Sequence, residues 1–159
     1  DFDLDLYAAW TIFMIVNLED KAATQYPVGK CDIPATVGTY FAGKSSGIMR
    51  GIFYPLGVGI ATILENPELT SGQTSLIAMI SDPASGNVHV VNAAGLGTVS
   101  RTTAAVANNL FSNTAPVEWA KLTGVGGLWA SMDSGPCGFV QRALSDTELQ
   151  WIADVAKWS

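Results

Sequence analysis

Short apolar runs, broken at close intervals by glycine, proline, asparagine or aspartate, restrict this chain more than any other feature of its sequence. AAWTIFMIVNL, TVGTYFAGK, GIMRGIFYP, GVGIATILE, TSLIAMIS, NVHVVNA and CGFVQRAL are rich in β-branched and aromatic residues, and the breaks between them carry turn formers. This is the rhythm of an all-β sandwich or jelly roll. The tightest break lies in SDPASGNVHVVNAAG. Asp82-Pro83 opens a turn, Gly86 and Asn87 tolerate positive φ, and apolar runs flank both sides, which predicts a hairpin of Leu76 to Ser81 with Asn87 to Ala93. DFDLDLY alternates acid against apolar and suits an edge strand with one wet face. SRTTAAVANNLFSNTAPVEW reads mainly as loop, the alternative being a short helix near Thr103 to Leu110.

The closing stretch, QRALSDTELQWIADVAKWS, changes character. Ser145 can accept from the backbone N–H of Glu148, Glu148 can reach back to the Ser145 N–H, and Asp146 adds negative charge at the positive end of a helix. Leu144 and Leu149 stand at the positions of a hydrophobic staple, and Leu149, Ile152, Ala153 and Ala156 form one apolar stripe. A helix of about four turns or fewer is marginal alone in water, so this one is expected to dock on the sandwich.

With 159 residues and 16.7 kDa, the chain fits one domain, residues 1–159. A hydrophobic content of 48%, a charged content of 14% and a mean hydropathy of +0.28 are high for a freely soluble monomer. Part of the surface is therefore expected to be shared in a homo-oligomer or larger assembly. The net charge of -6 and pI of about 4.5, with 8 scattered Lys and Arg, exclude a phosphate-binding footprint and hence a nucleic-acid partner. GIFYPLGVGIATIL is broken by Pro55 and is shorter than the roughly 20 residues of a spanning helix, so it reads as buried strands rather than membrane insertion. A start at Asp1 with neither Met nor leader suggests a processed or excised chain, and the lack of an Asn-x-Ser/Thr sequon disfavours a eukaryotic secreted glycoprotein. Cys31 and Cys137 are read as two buried thiols, with a single bridge as the alternative.

GVGGLWASMDSGPCGFVQRALSDTELQWIADVAKW resembles the end of laminin-G-like and concanavalin-A-like jelly rolls, in which a last strand runs through R-A-L-S-x-x-E-L/I into a short terminal helix. Arg142, Ala143, Leu144, Ser145, Glu148 and Leu149 match that phrase, and Gly126-Gly127 resembles a glycine pair two strands earlier. WTIFMIVN and SLIAMISDPASGNVHVVNAAG resemble an early strand and the central hairpin of the family. The resemblance implies a concanavalin-A-like β-sandwich jelly roll with a short C-terminal α-helix, and most often a binding module.

Glycoside hydrolases on this fold carry two glutamates on one strand face, because retaining chemistry needs carboxyls about 5 Å apart. No E-x-D-x-E run exists here, and Glu65 and Glu68 flank Pro67 in what reads as a turn; Glu118 stands alone. SMDSG matches half of an Asp-box and reads as an Asx-type turn before the last strand. His89, the single histidine, reads as a packed or surface strand residue, without the spacing of a triad or zinc site.

Oxygen-bearing side chains on expected loops supply the binding candidates. Asp82, Asn87, Asn113 and Asp133 suit sugar hydroxyls, and Asp82, Asn87 and Asp133 with Asn92 also suit calcium, a hard cation; no other cofactor is implied. Trp119, in the loop-like PVEWAK, is the expected stacking platform, whereas Trp10 and Trp129 fall in strands and Trp151 and Trp158 in the terminal helix, as core or interface. Two readings compete. One is a non-catalytic attachment module, extracellular or on a virion surface, for a glycan or protein surface. The other is a structural subunit of a phage or viral tail fibre or capsid decoration.

Overall fold

The computed structural model describes residues 8–18, 26–32, 37–43, 48–53, 62–66, 69, 72–106, 118–119 and 132–157. Among them, ten strands, one short 3-10 turn at Ala94–Leu96 and one α-helix occur, the strands and α-helix in the order β1 Trp10–Leu18, β2 Val28–Asp32, β3 Val37–Gly43, β4 Met49–Phe53, β5 Thr62–Asn66, β6 Thr74–Asp82, β7 Asn87–Ala93, β8 Ser100–Ala105, β9 Glu118–Trp119, β10 Met132–Val140 and α1 Asp146–Ala156. They form two antiparallel sheets, ordered β10-β1-β6-β7-β8 and β5-β4-β3-β2-β9.

The alternation of side chains explains why β1 and β6 are so uniformly apolar. Trp10, Ile12, Met14, Val16 and Leu18 of β1 face inward with Ile77, Met79, Val88 and Val90, and meet Met49, Phe53 and Leu64 of the second sheet. The intervening residues Ile15, Leu76, Ala78, Ile80, Val91 and Ala93 face the other way and pack against Leu144, Leu149 and Ala153. The first sheet is thus buried on both faces, so its central strands carry apolar residues without a polar alternate. Burying Leu149 completely is worth roughly 1.5–3 kcal/mol, more than the helix propensity of so short a segment.

Polar contacts latch the helix to the sheet. The Ser145 Oγ accepts from the Glu148 N–H at 3.3 Å, and Glu148 Oε2 accepts from the Ser145 N–H at 2.9 Å. The buried Thr11 hydroxyl donates to the Arg142 carbonyl at 2.8 Å and accepts from the Leu144 N–H at 3.0 Å. Arg101 of β8 donates to Asp146 Oδ1 at 2.6 Å and to the Leu144 carbonyl at 2.9 Å, and Gln150 bridges the Gly97 carbonyl and Val99 N–H. The capping box and the docked stripe expected from the sequence are both present.

Several expectations are corrected. SRTTAA is not loop but β8, because its threonines pair with β7 along a full register from Asn87–Ala105 to Asn92–Ser100. MDSG is not a turn: it belongs to β10, where Gly135 and Pro136 bulge opposite Ile15. Pro136 lacks a ladder donor, and a Cβ on Gly135 would stand 3.2 Å from Ile15 Cβ, so both residues fit a bulge on an edge strand. Cys137 is an exposed free thiol rather than a buried one, since β10 is a sheet edge. Glu65 lies in β5, not in a turn. The segment VGKCD, unmarked by any sequence signal, forms β2. DFDLDLY, Asn113, Glu68, Gly126-Gly127, Trp129 and Trp158 lie outside the described residues.

Candidate functional site

α1 and its latch occupy the outer face of the first sheet; on the corresponding face of the second sheet Ile63 and Glu65 are exposed, Arg50 is part-buried and Ile52 is buried. Strand β4 shows how that face is built. Met49 and Phe53 are fully buried in the core, so the alternate residues Arg50 and Ile52 face outward. Their partners on β5 are Glu65 and Ile63, with Ala42 and Tyr40 opposite them on β3. Gly51 sets the closeness of this strand to the opposite sheet, because a Cβ there would lie 2.2 Å from Val90 Cγ2.

Arg50 and Glu65 form a cross-strand ion pair through Nη2 and Oε1. Arg50 Nε–H is buried without a hydrogen-bond partner, a donor for which the described residues supply no acceptor. Ile63 beside them is 52% exposed, an unusual position for a large aliphatic side chain. Strand β5 is held from behind. The Asn66 amide donates to the Ser100 carbonyl at 2.9 Å, and the Thr102 hydroxyl donates to the Glu65 carbonyl at 3.3 Å. The face therefore offers a fixed cation, a fixed carboxylate and an apolar step within two neighbouring strands. Such a set can meet sugar hydroxyls with a donor and an acceptor, and an apolar ring face with Ile63.

The residues singled out from the sequence fall elsewhere. Asp82 and Asn87 close the β6–β7 hairpin as partners, and the Asp82 carboxylate accepts from the Ser85 hydroxyl at 2.6 Å, a turn-stabilising bond. Gly86 supplies the positive φ of +68°. Asp133 pairs with Asn17, whereas Asp82 lies just past the Trp10–Ser81 pair. Trp10 and Asn17 are seven residues apart, a separation of roughly 24 Å along the strand. The three suggested calcium ligands therefore do not converge; Asn92, the fourth oxygen donor considered, is buried. Among the described residues no three His, Cys, Asp or Glu side chains cluster as a metal site. Trp119 is not in a loop but in β9, opposite Val28 at the edge of the second sheet. Trp10 is buried, while Trp151 of α1 is 68% exposed and not core.

His89 is buried on the helix-bearing face and shares a 2.8 Å hydrogen bond with Thr103. Burial depresses its pKa below the ordinary 6.5, and Arg101 adds to that, against opposing pulls from Asp82 and Asp146. Sequence reasoning missed Arg50 and Ile63. Their only signal was period-two alternation in MRGIF and TILEN, each too short to stand out.

No protein-family model and no curated protein matches the sequence. Solved structures do match in fold. The carbohydrate-binding module CBM40 of the Ruminococcus gnavus IT-sialidase, bound to α2,3 sialyllactose, aligns with a TM-score of 0.73 at 13% identity, over 92% of this chain and 83% of that one. The binding domain of Paraclostridial Mosquitocidal Protein 1 aligns with a TM-score of 0.69 at 12% identity, over 95% of this chain but only 38% of that domain's length. A heptameric SAP-like pentraxin from Limulus polyphemus aligns with a TM-score of 0.62 at 16% identity, over 92% and 71%. The chain is an antiparallel β-sandwich of the jelly-roll kind with a short C-terminal helix. At these identities the likeness is one of fold, and fold does not fix activity.

Proposed function

We propose that this chain is a non-catalytic glycan-binding module, working outside the cell or on a surface, and that the outer face of β4 and β5 carries the contact. The observation behind this reading is the Arg50–Glu65 pair beside exposed Ile63, on the face opposite the helix latch. A guanidinium next to a carboxylate complements neighbouring sugar hydroxyls, and the unpartnered Arg50 Nε–H would gain an acceptor. Neighbours in fold include a module bound to a sialylated sugar and the binding domain of a mosquitocidal protein, which supports recognition over catalysis.

Calorimetric titration with 3′-sialyllactose and with lactose tests this reading. Arg50→Gln is expected to weaken binding by about 10- to 100-fold, the worth of a charged hydrogen bond. The melting temperature should move by only a few degrees, since a partly exposed pair contributes about 0–1 kcal/mol. Equal affinity for both sugars would assign the site to hydroxyl recognition; preference for sialyllactose would assign it to the acid group. Binding should survive chelation, given the separation of Asp82 and Asn87 from Asp133. No binding to either sugar, or loss in Trp119→Ala with Arg50→Gln unaffected, would move the site off this face.

The assembly reading keeps one observation on its side. Trp151 and Val155, 68% and 48% exposed, form an apolar stripe along α1. Sedimentation equilibrium decides it: a monomer at all concentrations removes this reading, and a dimer abolished by Trp151→Ser supports it.

A further inference from the structure

On the helix-bearing face of the first sheet, the β7–β8 register places His89 opposite Thr103 and Val91 opposite Arg101, so His89 and Arg101 are diagonal neighbours on one face. Arg101 is the residue that ties β8 to the start of α1, through Asp146 Oδ1 at 2.6 Å and the Leu144 carbonyl at 2.9 Å. His89 itself is 8% exposed, and its Nδ1 lies 2.8 Å from Thr103 Oγ1. The charges acting on it come from each surrounding element: Arg101 from β8, Asp82 from the end of β6 and Asp146 from α1. A second pair, Arg142–Glu148 at 2.6 Å, lies at the same end of the helix.

We propose that the α1 latch is acid-sensitive, because protonating His89 sets a buried cation near the part-buried Arg101, where it competes for Asp146 and loosens the clamp on the helix start. The neutral ring is compatible with the site: one nitrogen is hydrogen-bonded and no charge is desolvated. The imidazolium is not, since burial and Arg101 both oppose it and only Asp82 and Asp146 favour it. The sign follows. With the folded-state pKa depressed, the contribution is intact above about pH 6.5 and declines as the pH falls below it, until the folded protein also takes up the proton. A loosened helix start would uncover part of the apolar face formed by Ile80, Val91 and Leu149. Glu148 at the same end of the helix, held down to about 2 chiefly by Arg142, stays charged over that interval and does not contribute to the change.

Amide hydrogen exchange followed by NMR, corrected for intrinsic pH dependence, tests the proposal on the whole chain. Protection of the α1 amides from Leu149 to Val155 should fall at least about threefold between about pH 7.5 and about pH 5, with Ile77 to Ile80 of β6 unchanged. In His89→Gln the α1 protection should be flat over the same range. Unchanged α1 protection in the natural sequence, an equal fall in β6, or an equal α1 fall in His89→Gln would each overturn it. Should His89→Gln fail to fold, the natural protein still decides: the His89 ring signal and the α1 amide shifts must titrate with one midpoint, and separate midpoints overturn the proposal.

Discussion

Gly51 shows how one residue can fix the spacing of two sheets. A Cβ at this position would meet Val90 Cγ2 at 2.2 Å and Phe53 Cε2 at 3.1 Å, both inside the core. Val90 has no room to retreat, since it is fully buried between the sheets. Gly51→Ala is therefore expected to destabilise the protein by about 1–3 kcal/mol, read as a lower urea midpoint, even though alanine is ordinarily the better strand residue of the two. A neutral result would show that the sheets can part by several tenths of an ångström at no cost. The same residue explains what was illegible beforehand. GIMRGIF reads as a strand, but which glycine marks a close approach depends on a partner some forty residues away. Arg50 escaped notice for a related reason, because its importance comes from facing Glu65 across the sheet and not from any motif. Cys137 was misjudged as buried, whereas its exposure follows from an edge strand; of the two alternatives for Trp151, core or interface, its place on the outer side of the helix removes the first.

At the scale of elements, local rules were most reliable where the signal was dense and least where pairing decides the outcome. The helix was legible because capping box, staple and stripe all lie within a dozen residues. The β6–β7 hairpin was legible for the same reason, with turn and strands contiguous. Strand β2 was not, as VGKCD contains glycine, lysine and aspartate and becomes a strand only between β3 and β9. Strand β8 was taken for loop because small polar residues hid a threonine-rich edge. The capping box makes two tests possible. Ser145→Ala should cost about 1 kcal/mol through the orphaned Glu148 N–H. Leu149→Ala should cost about 2–5 kcal/mol, since Leu149 is completely buried between helix and sheet. Arg142 chiefly, followed by the Ser145 backbone and hydroxyl, holds the Glu148 carboxyl down to about 2 from an ordinary 4.5. A depressed carboxylate stabilises the folded state above its unfolded value. The melting-temperature gap between the natural protein and Glu148→Gln should thus be full above about pH 4.5 and close as the pH falls through about 2.

Over the whole molecule, the fold class was readable because the apolar runs were short, frequent and separated by turn formers, but the way the two sheets meet was not. That junction depends on Asn66, an ordinary residue in the sequence and almost wholly buried in the fold. Its side-chain amide leaves β5 and donates to the Ser100 carbonyl of β8 at 2.9 Å and, more weakly, to the Val90 carbonyl of β7 at 3.4 Å. One amide thus ties the edge of one sheet to the edge and interior of the other, at the side where β5 and β8 approach. The Thr102 hydroxyl repeats the tie at 3.3 Å through the Glu65 carbonyl, so the closure also fixes the strand that carries the proposed glycan contact. Asn66→Ala should cost about 1–3 kcal/mol, because the part-buried Ser100 carbonyl and the buried Val90 carbonyl would both lose its amide as a donor. Asn66→Asp should cost more, since a buried carboxylate would face two carbonyl oxygens where an N–H donor is required. Urea denaturation of both variants gives the order, and an unchanged slope for Asn66→Ala would show that the same surface is exposed on unfolding. Glycan titration of Asn66→Ala at low urea then separates packing from recognition. Affinity falling together with stability would place the closure under the binding face, and equal loss in Asp and Ala variants would refute the hydrogen-bond account of how the sheets are joined.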